Sequence, residues 1–288
     1  MGTTGRYGWS SVMQLGIFAR TFPRPTLEET FDAVVAHELH CVQFNMACVG
    51  LPTLPDYIEN DVITYIHKEA TSRQISIAAV SGTYNMIHPD PKQRQKGLRR
   101  LRVLASTCKY MGTSVITLCT GTRDPQNMWR WHSENTSPQA WEDLLSSMDA
   151  ALHIAEEEGI ILAFEPERAN VINTAARGRA LLDAMQSQHL KVIMDPANLI
   201  VSENKQHMHH ILDEAFELLG EYIVLAHAKD IGPDNTFRAA GSGILDYDYY
   251  LHHLEAATVE VPLIIHGLSE AQVDATVRFL RERLREGR

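Results

Sequence analysis

Residues 160–165 read Ile-Ile-Leu-Ala-Phe-Glu, a short apolar run that ends in a carboxylate. The same arrangement recurs at 192–195 (Val-Ile-Met-Asp), at 223–227 (Ile-Val-Leu-Ala-His) and at 263–266 (Leu-Ile-Ile-His). The polar ends follow one another at intervals of roughly 30 to 40 residues, which is the length of one strand–helix unit. The pattern therefore predicts four consecutive parallel strands, each ending in a side chain that can bind a metal ion.

Short apolar runs also alternate with segments of helical periodicity along the rest of the chain. Thr26 and Glu29 form a capping box at the start of one predicted helix, and Gly159 ends another directly before 160–165. The runs are rich in Val, Ile and Leu, so both faces of the sheet must be covered. The eight predicted strands lie at about 12–18, 41–44, 75–80, 114–120, 160–164, 191–194, 222–226 and 261–265.

Eight strand–helix pairs favour a closed (β/α)8 barrel, or TIM barrel, over an open doubly wound sheet. A dinucleotide-binding sheet would carry a GxGxxG fingerprint after its first strand, whereas residues 20–25 here read Arg-Thr-Phe-Pro-Arg-Pro. The length of 288 residues suits one such barrel. We predict an α/β protein with a single (β/α)8 TIM barrel over residues 11–288 and a disordered lead at residues 1–10.

The composition argues against two classes of partner. The formal net charge is −10 and the sequence has no convincing basic patch, so we expect no nucleic-acid partner. No apolar run approaches the ~18 residues of a membrane helix, so we expect no membrane partner. The 4 cysteines lie in or beside apolar segments without a CxxC pair, which suits reduced thiols in a cytoplasmic protein.

The polar strand ends predict a metal site. In a barrel the C-terminal ends of the strands meet on one rim, and this rim carries the active sites of barrel enzymes. A charged group at the end of a buried strand costs free energy unless it is paired or bound to metal. One such group can be a salt bridge or a cap, but four in register favour a site for Mn²⁺, Zn²⁺, Co²⁺ or Fe²⁺, with Mg²⁺ as a further candidate. The candidate metal ligands are Glu165, Asp195, His227 and His266.

Four motifs together resemble the xylose-isomerase-like barrels and, more narrowly, the sugar-phosphate isomerase/epimerase family. They are Phe-Glu-Pro-Glu at 164–167, Met-Asp-Pro-Ala-Asn-Leu at 194–199, His-Ala-Lys-Asp at 227–230 and Gly-Ser-Gly-Ile-Leu-Asp-Tyr at 241–247. The resemblance covers most of the chain. It implies one divalent metal held by Glu, Asp, His and a second Glu, a small carbohydrate substrate and a homodimer.

Carried over residue by residue, the resemblance assigns the first three ligand positions to Glu165, Asp195 and His227. The family has Glu at the fourth position, where this chain has His266 and then Glu270 four residues later. Either His266 takes the ligand place or Glu270 reaches back to it, and the better-fixed strand end favours His266. Glu165, or a carboxylate near it, is the expected general base, and His266 or Glu270 is expected to return the proton, which makes Glu270 a second catalytic candidate.

Six residues are candidate substrate contacts. Asn198 follows the Asp195 ligand, Lys229 follows the histidine ligand, and relatives often hold a substrate-binding Arg near position 238. The loops after the third and fourth strands face the same rim, where two Trp side chains can wall a sugar pocket. For each residue the alternative is a cap, an ion pair or loop packing, and Glu167 is expected in such a supporting role. The six candidates are Asn198, Lys229, Arg238, His88, Trp129 and Trp131.

Four functional hypotheses follow from the resemblance. The first is a metal-dependent isomerase or epimerase of a small sugar or polyol ketone, with or without phosphate, which acts through an enediolate. The second is a dehydratase of the inosose type, which shares the same ligands. The third is an abasic-site endonuclease with extra ligands such as His88 and His132, and the acidic balance of the chain argues against it. The fourth is a non-catalytic barrel that keeps the metal for structure or sensing.

Overall fold

The computed structural model describes residues 13–257 and 261–286, so the lead predicted at residues 1–10 lies outside the described residues. Within the described residues there are nine strands, and eight of them form the barrel. The strands are β1 (Leu15–Phe18), β2 (Cys41–Phe44), β3 (Ser76–Ser81), β4 (Val115–Cys119), β5 (Ile161–Glu165), β6 (Leu190–Met194), β7 (Ile223–Ile231), the short β8 (Phe237–Ala239) and β9 (Leu263–Ile265).

The eight barrel strands pair in parallel and close on themselves, which confirms the predicted (β/α)8 barrel. Each strand from β1 to β6 pairs with the next one along the chain, and β9 bridges β7 and β1. Closure leaves the barrel with no unpaired edge. The barrel strands coincide with the eight predicted runs within a few residues, except for the end of β7.

Strand β7 continues to Ile231, five residues beyond its predicted end at 226. Its pairing with β9 ends at Ala228, and residues 229–231 then pair with the antiparallel strand β8. The polar sequence His-Ala-Lys-Asp does not have the apolar pattern of a barrel strand, so the periodicity did not reveal this extension. His227 therefore lies inside a strand rather than directly after one.

Helices connect the strands, and their ends follow the predicted signals. The Thr26 hydroxyl accepts a hydrogen bond from Glu29 N at 3.3 Å, and Gly159 ends its helix with φ +66°. The α-helices are α1 (Leu27–Ala36), α2 (Asn60–Ser72), α3 (Pro91–Ala105), α4 (Cys108–Met111), α5 (Pro138–Glu158), α6 (Ala175–Met185), α7 (Pro196–Leu199), α8 (Met208–Leu219), α9 (Tyr247–Ala257) and α10 (Val273–Glu286). Short 3-10 helices lie at Ala19–Thr21, Met46–Val49, Ser133–Thr136, Ser202–His207, Gly220–Tyr222 and Glu270–Gln272.

None of the helices within residues 13–257 and 261–286 is both long enough and apolar enough to cross a membrane. Most of the core lies between the helices and the outer face of the barrel. Inside the barrel, six residues form a separate buried apolar cluster, which we call the apolar plug. Side chains of a strand alternate with a period of two, so the residue two positions after each plug residue also points inward, at the rim. The pairs are Cys41 and Gln43, Ala79 and Ser81, Ala163 and Glu165, Ile193 and Asp195, Leu225 and His227, and Ile264 and His266.

Candidate metal centre and substrate cavity

Glu165, Asp195 and His227 meet on the C-terminal rim of the barrel. One potential ligand atom from each residue lies within 4.8 Å of the other two. His227 Nδ1 is 3.4 Å from Glu165 Oε2 and 3.6 Å from Asp195 Oδ2. Three neighbouring strands thus present two carboxylate oxygens and one imidazole nitrogen to the same small space, which makes this a candidate metal site.

The hydrogen bonds of these groups leave ligand atoms free. Asp195 Oδ1 accepts from Ala197 N at 3.0 Å, and His227 Nε2 contacts Gln43 Oε1 at 2.8 Å. Among the described residues, the buried His227 Nδ1 has no hydrogen-bond partner, and Asp195 Oδ2, which lies 3.6 Å from it, contacts the ammonium of Lys229 at 2.6 Å. Buried polar atoms are normally satisfied, so a nitrogen without a partner that faces two carboxylates fits a site for a cation or a proton. The donor set fits a divalent transition metal.

Gln43 fixes the tautomer of His227. Its side-chain nitrogen donates to Ser81 Oγ at 3.2 Å and to Thr117 Oγ1 at 3.4 Å, which leaves its oxygen to accept from His227 Nε2. A neutral imidazole that donates through Nε2 keeps its lone pair on Nδ1, the atom that faces the carboxylates. Sequence reasoning missed Gln43, although a buried amide two residues after a plug residue was a signal for it.

The charges around the centre are strongly coupled. Burial lowers the pKa of His227, but the negative charges of Glu165 and Asp195 outweigh burial and raise the pKa to about 9. Burial raises the pKa of Asp195, but Lys229 and His227 outweigh it and hold that pKa well below its ordinary value. Asp195 therefore stays ionised, and the site attracts positive charge, whether it is a proton or a metal ion.

Lys229 forms the internal ion pair that was the alternative to substrate binding, and it also lines the cavity. Its Nζ lies 2.6 Å from Asp195 Oδ2 and 3.9 Å from Glu165 Oε1. The same Nζ lies 4.1 Å from the centroid of the Phe237 ring. Burial lowers the pKa of Lys229, but Asp195 and Glu165 raise it by more, so the ammonium stays charged.

Asn198 and Glu167 stand beside Glu165. The Asn198 amide donates to Glu165 Oε1 and, at 3.2 Å, to Glu167 Oε2. Asn198 is buried and is absent from the lining of the cavity described below, so its hydrogen bonds orient the two glutamates, and a contact with substrate stays a prediction. Glu167 does line the cavity, and burial together with the charge of Glu165 raises its pKa to about 7.

The structure separates the two candidates for the fourth ligand. The His266 ring stacks on Phe18 and on His227, with centroid distances of 4.9 and 5.1 Å, and it lines the cavity. It does not belong to the three-residue group, and burial lowers its pKa well below the ordinary value, so the ring is neutral. Glu270 does not reach back to the site, because its carboxylate forms a bidentate pair with Arg24 at 2.5 and 2.9 Å. The predicted catalytic role of Glu270 is therefore not supported.

A cavity of about 520 Å³ opens above the candidate metal site. Its lining includes Glu165, Glu167, His227, Lys229 and His266 on one side and uncharged hydrogen-bonding side chains on the other. Aromatic and apolar side chains complete the wall, and predicted residue Trp129 is one of them. The remaining lining residues are Phe18, Arg20, Gln43, Asn45, Thr53, Ser81, Thr83, Thr117, Leu118, Cys119, Met128, Trp129, Phe237 and Gly267.

Three predicted substrate contacts do not line this cavity. Arg238 pairs with Asp234 at 2.8 Å, four residues away, and its side chain is half exposed. His88 lies in a neighbouring depression, where its ring contacts the backbone of Asp90 and Pro125. Trp131 is exposed. The ion pair of Arg238 and the backbone hydrogen bonds of His88 account for two of these placements.

The glycine-rich motif at 241–247 is structural. Asp230 accepts backbone hydrogen bonds from Ile231, Gly241, Gly243 and Leu245 at 2.8 to 3.1 Å. A Cβ atom at Gly243 would lie 2.2 Å from Asp230 Oδ1, so only glycine allows this close approach. The motif therefore wraps a loop around one buried carboxylate beside the site.

Comparison with proteins of known structure gives the same fold. The chain is similar to the 3-keto-D-glucoside 4-epimerase YcjR from E. coli at 17% identity and a TM-score of 0.69, covering 94% of this chain and 99% of that one. It is similar to the probable 3-DHS dehydratase AsbF from Bacillus anthracis at 12% identity and a TM-score of 0.74, covering 93% and 99%. A third similar structure is the IOLI protein with a bound zinc atom, at 14% identity and a TM-score of 0.72, covering 94% and 98%.

Sequence comparison identifies the family but no individual relative. No curated protein matches the chain. The family model described as a xylose isomerase-like TIM barrel matches residues 31–283, which is most of the chain. The predicted resemblance is thereby confirmed, and the chain belongs to the xylose isomerase-like TIM barrel family.

Proposed function

We propose that the protein is a divalent-metal-dependent isomerase or epimerase of a small sugar or polyol ketone. The observation that carries this proposal is the group of Glu165, Asp195 and His227, whose potential ligand atoms lie within 4.8 Å of one another beneath a cavity of about 520 Å³. The cavity has the size of a small-molecule site. Its wall combines ionisable groups with hydroxyl and amide groups, which suits a substrate with many hydroxyls.

Glu165 Oε2, Asp195 Oδ2 and His227 Nδ1 would hold the ion. A bound divalent metal supplies Lewis-acid stabilisation of negative charge on a substrate oxygen. The role of the chain is then to bind the polyol, to keep the carboxylates ionised and to move a proton on carbon. Lys229 and the amide of Gln43 contribute charge and orientation at the same centre.

Two carboxylates on the β5 side are available to take the proton next to the carbonyl. Glu165 is the base expected from the sequence. Glu167 is the stronger candidate, because Asn198 occupies Glu165 Oε1 while Oε2 faces His227, and Glu167 keeps one oxygen without such a bond. A buried carboxylate at the cavity wall is well placed for general base catalysis.

His266 is the proposed second proton carrier. It enters the cavity from the end of β9, three strands around the barrel from β5, so it approaches the substrate from another side than Glu167. Because burial keeps this ring neutral, it can accept a proton in one direction of the reaction and return it in the other. A Glu167–His266 pair would replace the two glutamates implied by the family resemblance.

The test is solvent deuterium exchange. The protein is stripped with a chelator, reloaded separately with Mn²⁺, Zn²⁺, Co²⁺ or Fe²⁺, and incubated in D₂O with a panel of ketoses and keto-glycosides. We expect an epimer or isomer with one deuterium on the carbon next to the carbonyl, and much less exchange in Glu167→Gln and His266→Asn. Turnover without deuterium incorporation, or no turnover with any loaded metal, would contradict the proposal. A product that has lost water would instead identify the dehydratase alternative.

The abasic-site alternative has weaker support. Within the described residues, the only group of three metal-competent side chains is the one on the rim. His88 and His132 are engaged in loop structure, since Nδ1 of each ring accepts a hydrogen bond from a backbone N–H two residues further along the chain. The net charge of −10 also disfavours a DNA partner.

A further inference from the structure

Lys229 occupies the atom that a metal ion would need. Asp195 Oδ1 is engaged by the backbone of Ala197, so Oδ2 is the oxygen that remains for an ion. That oxygen is 2.6 Å from Lys229 Nζ. A transition metal binds a carboxylate oxygen at about 2.0–2.2 Å. With both cations on Asp195 Oδ2, the ammonium and the ion would be only about 4 Å apart, where like charges repel strongly in a buried site.

The surroundings of Lys229 offer its ammonium a second position. Nζ already contacts the face of Phe237, which lines the cavity, and Glu167 contributes negative charge nearby. The aliphatic stem runs directly over Gly267, where a Cβ would lie 3.0 Å from Lys229 Cγ and Cδ. The stem thus packs on Gly267, while the ammonium at its end has Asp195 on one side and the Phe237 ring on the cavity side.

We propose that Lys229 is a counter-ion that divalent metal displaces: it neutralises Asp195 before an ion binds, and metal binding moves its ammonium toward Glu167 and the cavity. There the ammonium becomes a hydrogen-bond donor for a substrate oxygen. Lys229 is thus a positioning residue for the metal and a substrate contact only in the metal-loaded protein. This inference rests on the proposed metal site but not on the reaction.

The test measures metal binding without substrate. Calorimetric titration with Mn²⁺ and with Zn²⁺ at pH 7.5 compares the wild type with Lys229→Met, which keeps the length of the side chain and removes its charge. We expect the variant to bind the ion at least about tenfold more tightly, because the competing cation is gone. Lys191→Met is the matched control, since Lys191 carries the same charge but contacts Tyr222 at 5.3 Å and does not line the cavity.

Equal or weaker binding by Lys229→Met would overturn the proposal, and so would the absence of metal binding in both proteins. If the Lys191→Met control gained as much metal affinity, the effect would come from net charge alone, and the proposal would also be overturned. If Lys229→Met does not fold, a crystal structure of the wild type with Mn²⁺ decides. We expect Lys229 Nζ beyond hydrogen-bond distance of Asp195 Oδ2, and a retained contact at 2.6 Å contradicts the displacement. None of these measurements depends on the sugar reaction.

Discussion

The two halves of the barrel rim differ in charge although they are built on the same plan. Strands β5, β6 and β7 place Glu165, Asp195 and His227 at the rim, whereas β2 and β3 place the uncharged Gln43 and Ser81 there. In both halves the rim residue stands two positions after a residue of the apolar plug. The backbone position is thus equivalent, and the residue type alone decides the role.

The uncharged half organises the charged half. Gln43 is held by Ser81 and Thr117 and in turn holds His227 Nε2, so a chain of hydrogen bonds crosses the barrel and ends at the ring whose other nitrogen, Nδ1, faces the carboxylates. Such outer partners orient a ligand and set its tautomer. The comparison shows that the site needs both halves, one for charge and one for orientation, and mutations can separate these contributions.

The largest effect is expected from the charged half. Asp195→Asn keeps the shape but removes the negative charge and replaces one oxygen by a donor, so metal affinity should fall by more than about 100-fold. Elemental analysis of freshly purified protein and a metal titration measure the loss. Asp213→Asn, a change on an exposed surface helix, is the control. Equal metal content in Asp195→Asn and the wild type would remove the basis of the proposed site.

The variant Asp230→Asn tests whether every acidic residue of the charged half serves the metal. The amide oxygen of Asn can accept hydrogen bonds but the amide nitrogen cannot, so at least two backbone N–H groups lose their acceptor. The free energy of unfolding should therefore fall by about 2–4 kcal/mol. Urea unfolding of the metal-free protein measures this change, with Asp234→Asn, an exposed neighbour, as the control. A stable Asp230→Asn protein that binds metal poorly would show instead that Asp230 acts on the site directly.

The uncharged half should give a smaller effect on metal binding. Gln43→Leu removes the acceptor of His227 Nε2 and is expected to weaken metal affinity by about 10- to 100-fold. Thr117→Val, which removes only a hydroxyl behind Gln43, should have a lesser effect in the same titration. If Gln43→Leu binds metal as tightly as the wild type, the uncharged half does not orient His227 for metal binding and the two halves are independent.

The smallest effect concerns the loop that carries Trp129. The Arg130 guanidinium and two backbone N–H groups hold the pKa of Asp124 well below its ordinary value. The stabilisation is present above the unfolded pKa of about 4 and is lost as the pH falls toward the lower folded value. Tryptophan fluorescence should therefore stay constant from pH 7 to about 4 and change only below it, whereas Asp124→Asn should already differ at pH 7. Identical spectra of the two proteins at pH 7 would show that this carboxylate does not order the loop.

Periodicity and spacing were sufficient to predict the barrel and three of its rim residues. Barrel strands are buried on both faces, so each gives a short apolar run, and a charged residue directly after such a run is conspicuous. Glu165, Asp195 and His227 satisfied this rule. Gln43 obeyed the same geometry, but an uncharged amide inside a strand does not stand out in a sequence.

The errors arose where a side chain is directed by a contact that sequence spacing does not encode. Glu270 lies close to His266 along the chain, but its carboxylate forms an ion pair with Arg24, which is 246 positions away. Arg238 forms an ion pair with Asp234 within its own turn. Glu167 was expected in a supporting role, and only its burial next to Glu165, a property of the packed structure, makes it a candidate proton carrier.

The apolar plug has a consequence for traffic through the site. Its side chains are at most 1% exposed and lie directly below the rim, so packed apolar side chains close the floor of the cavity. In the proposed enzyme, metal, sugar and exchanged proton would therefore enter and leave from the open side of the cavity, whose lining includes the exposed Trp129 and Phe237. A bound sugar would block the exit path of the ion, so the proposed enzyme would lose its metal more slowly during turnover than in the absence of substrate.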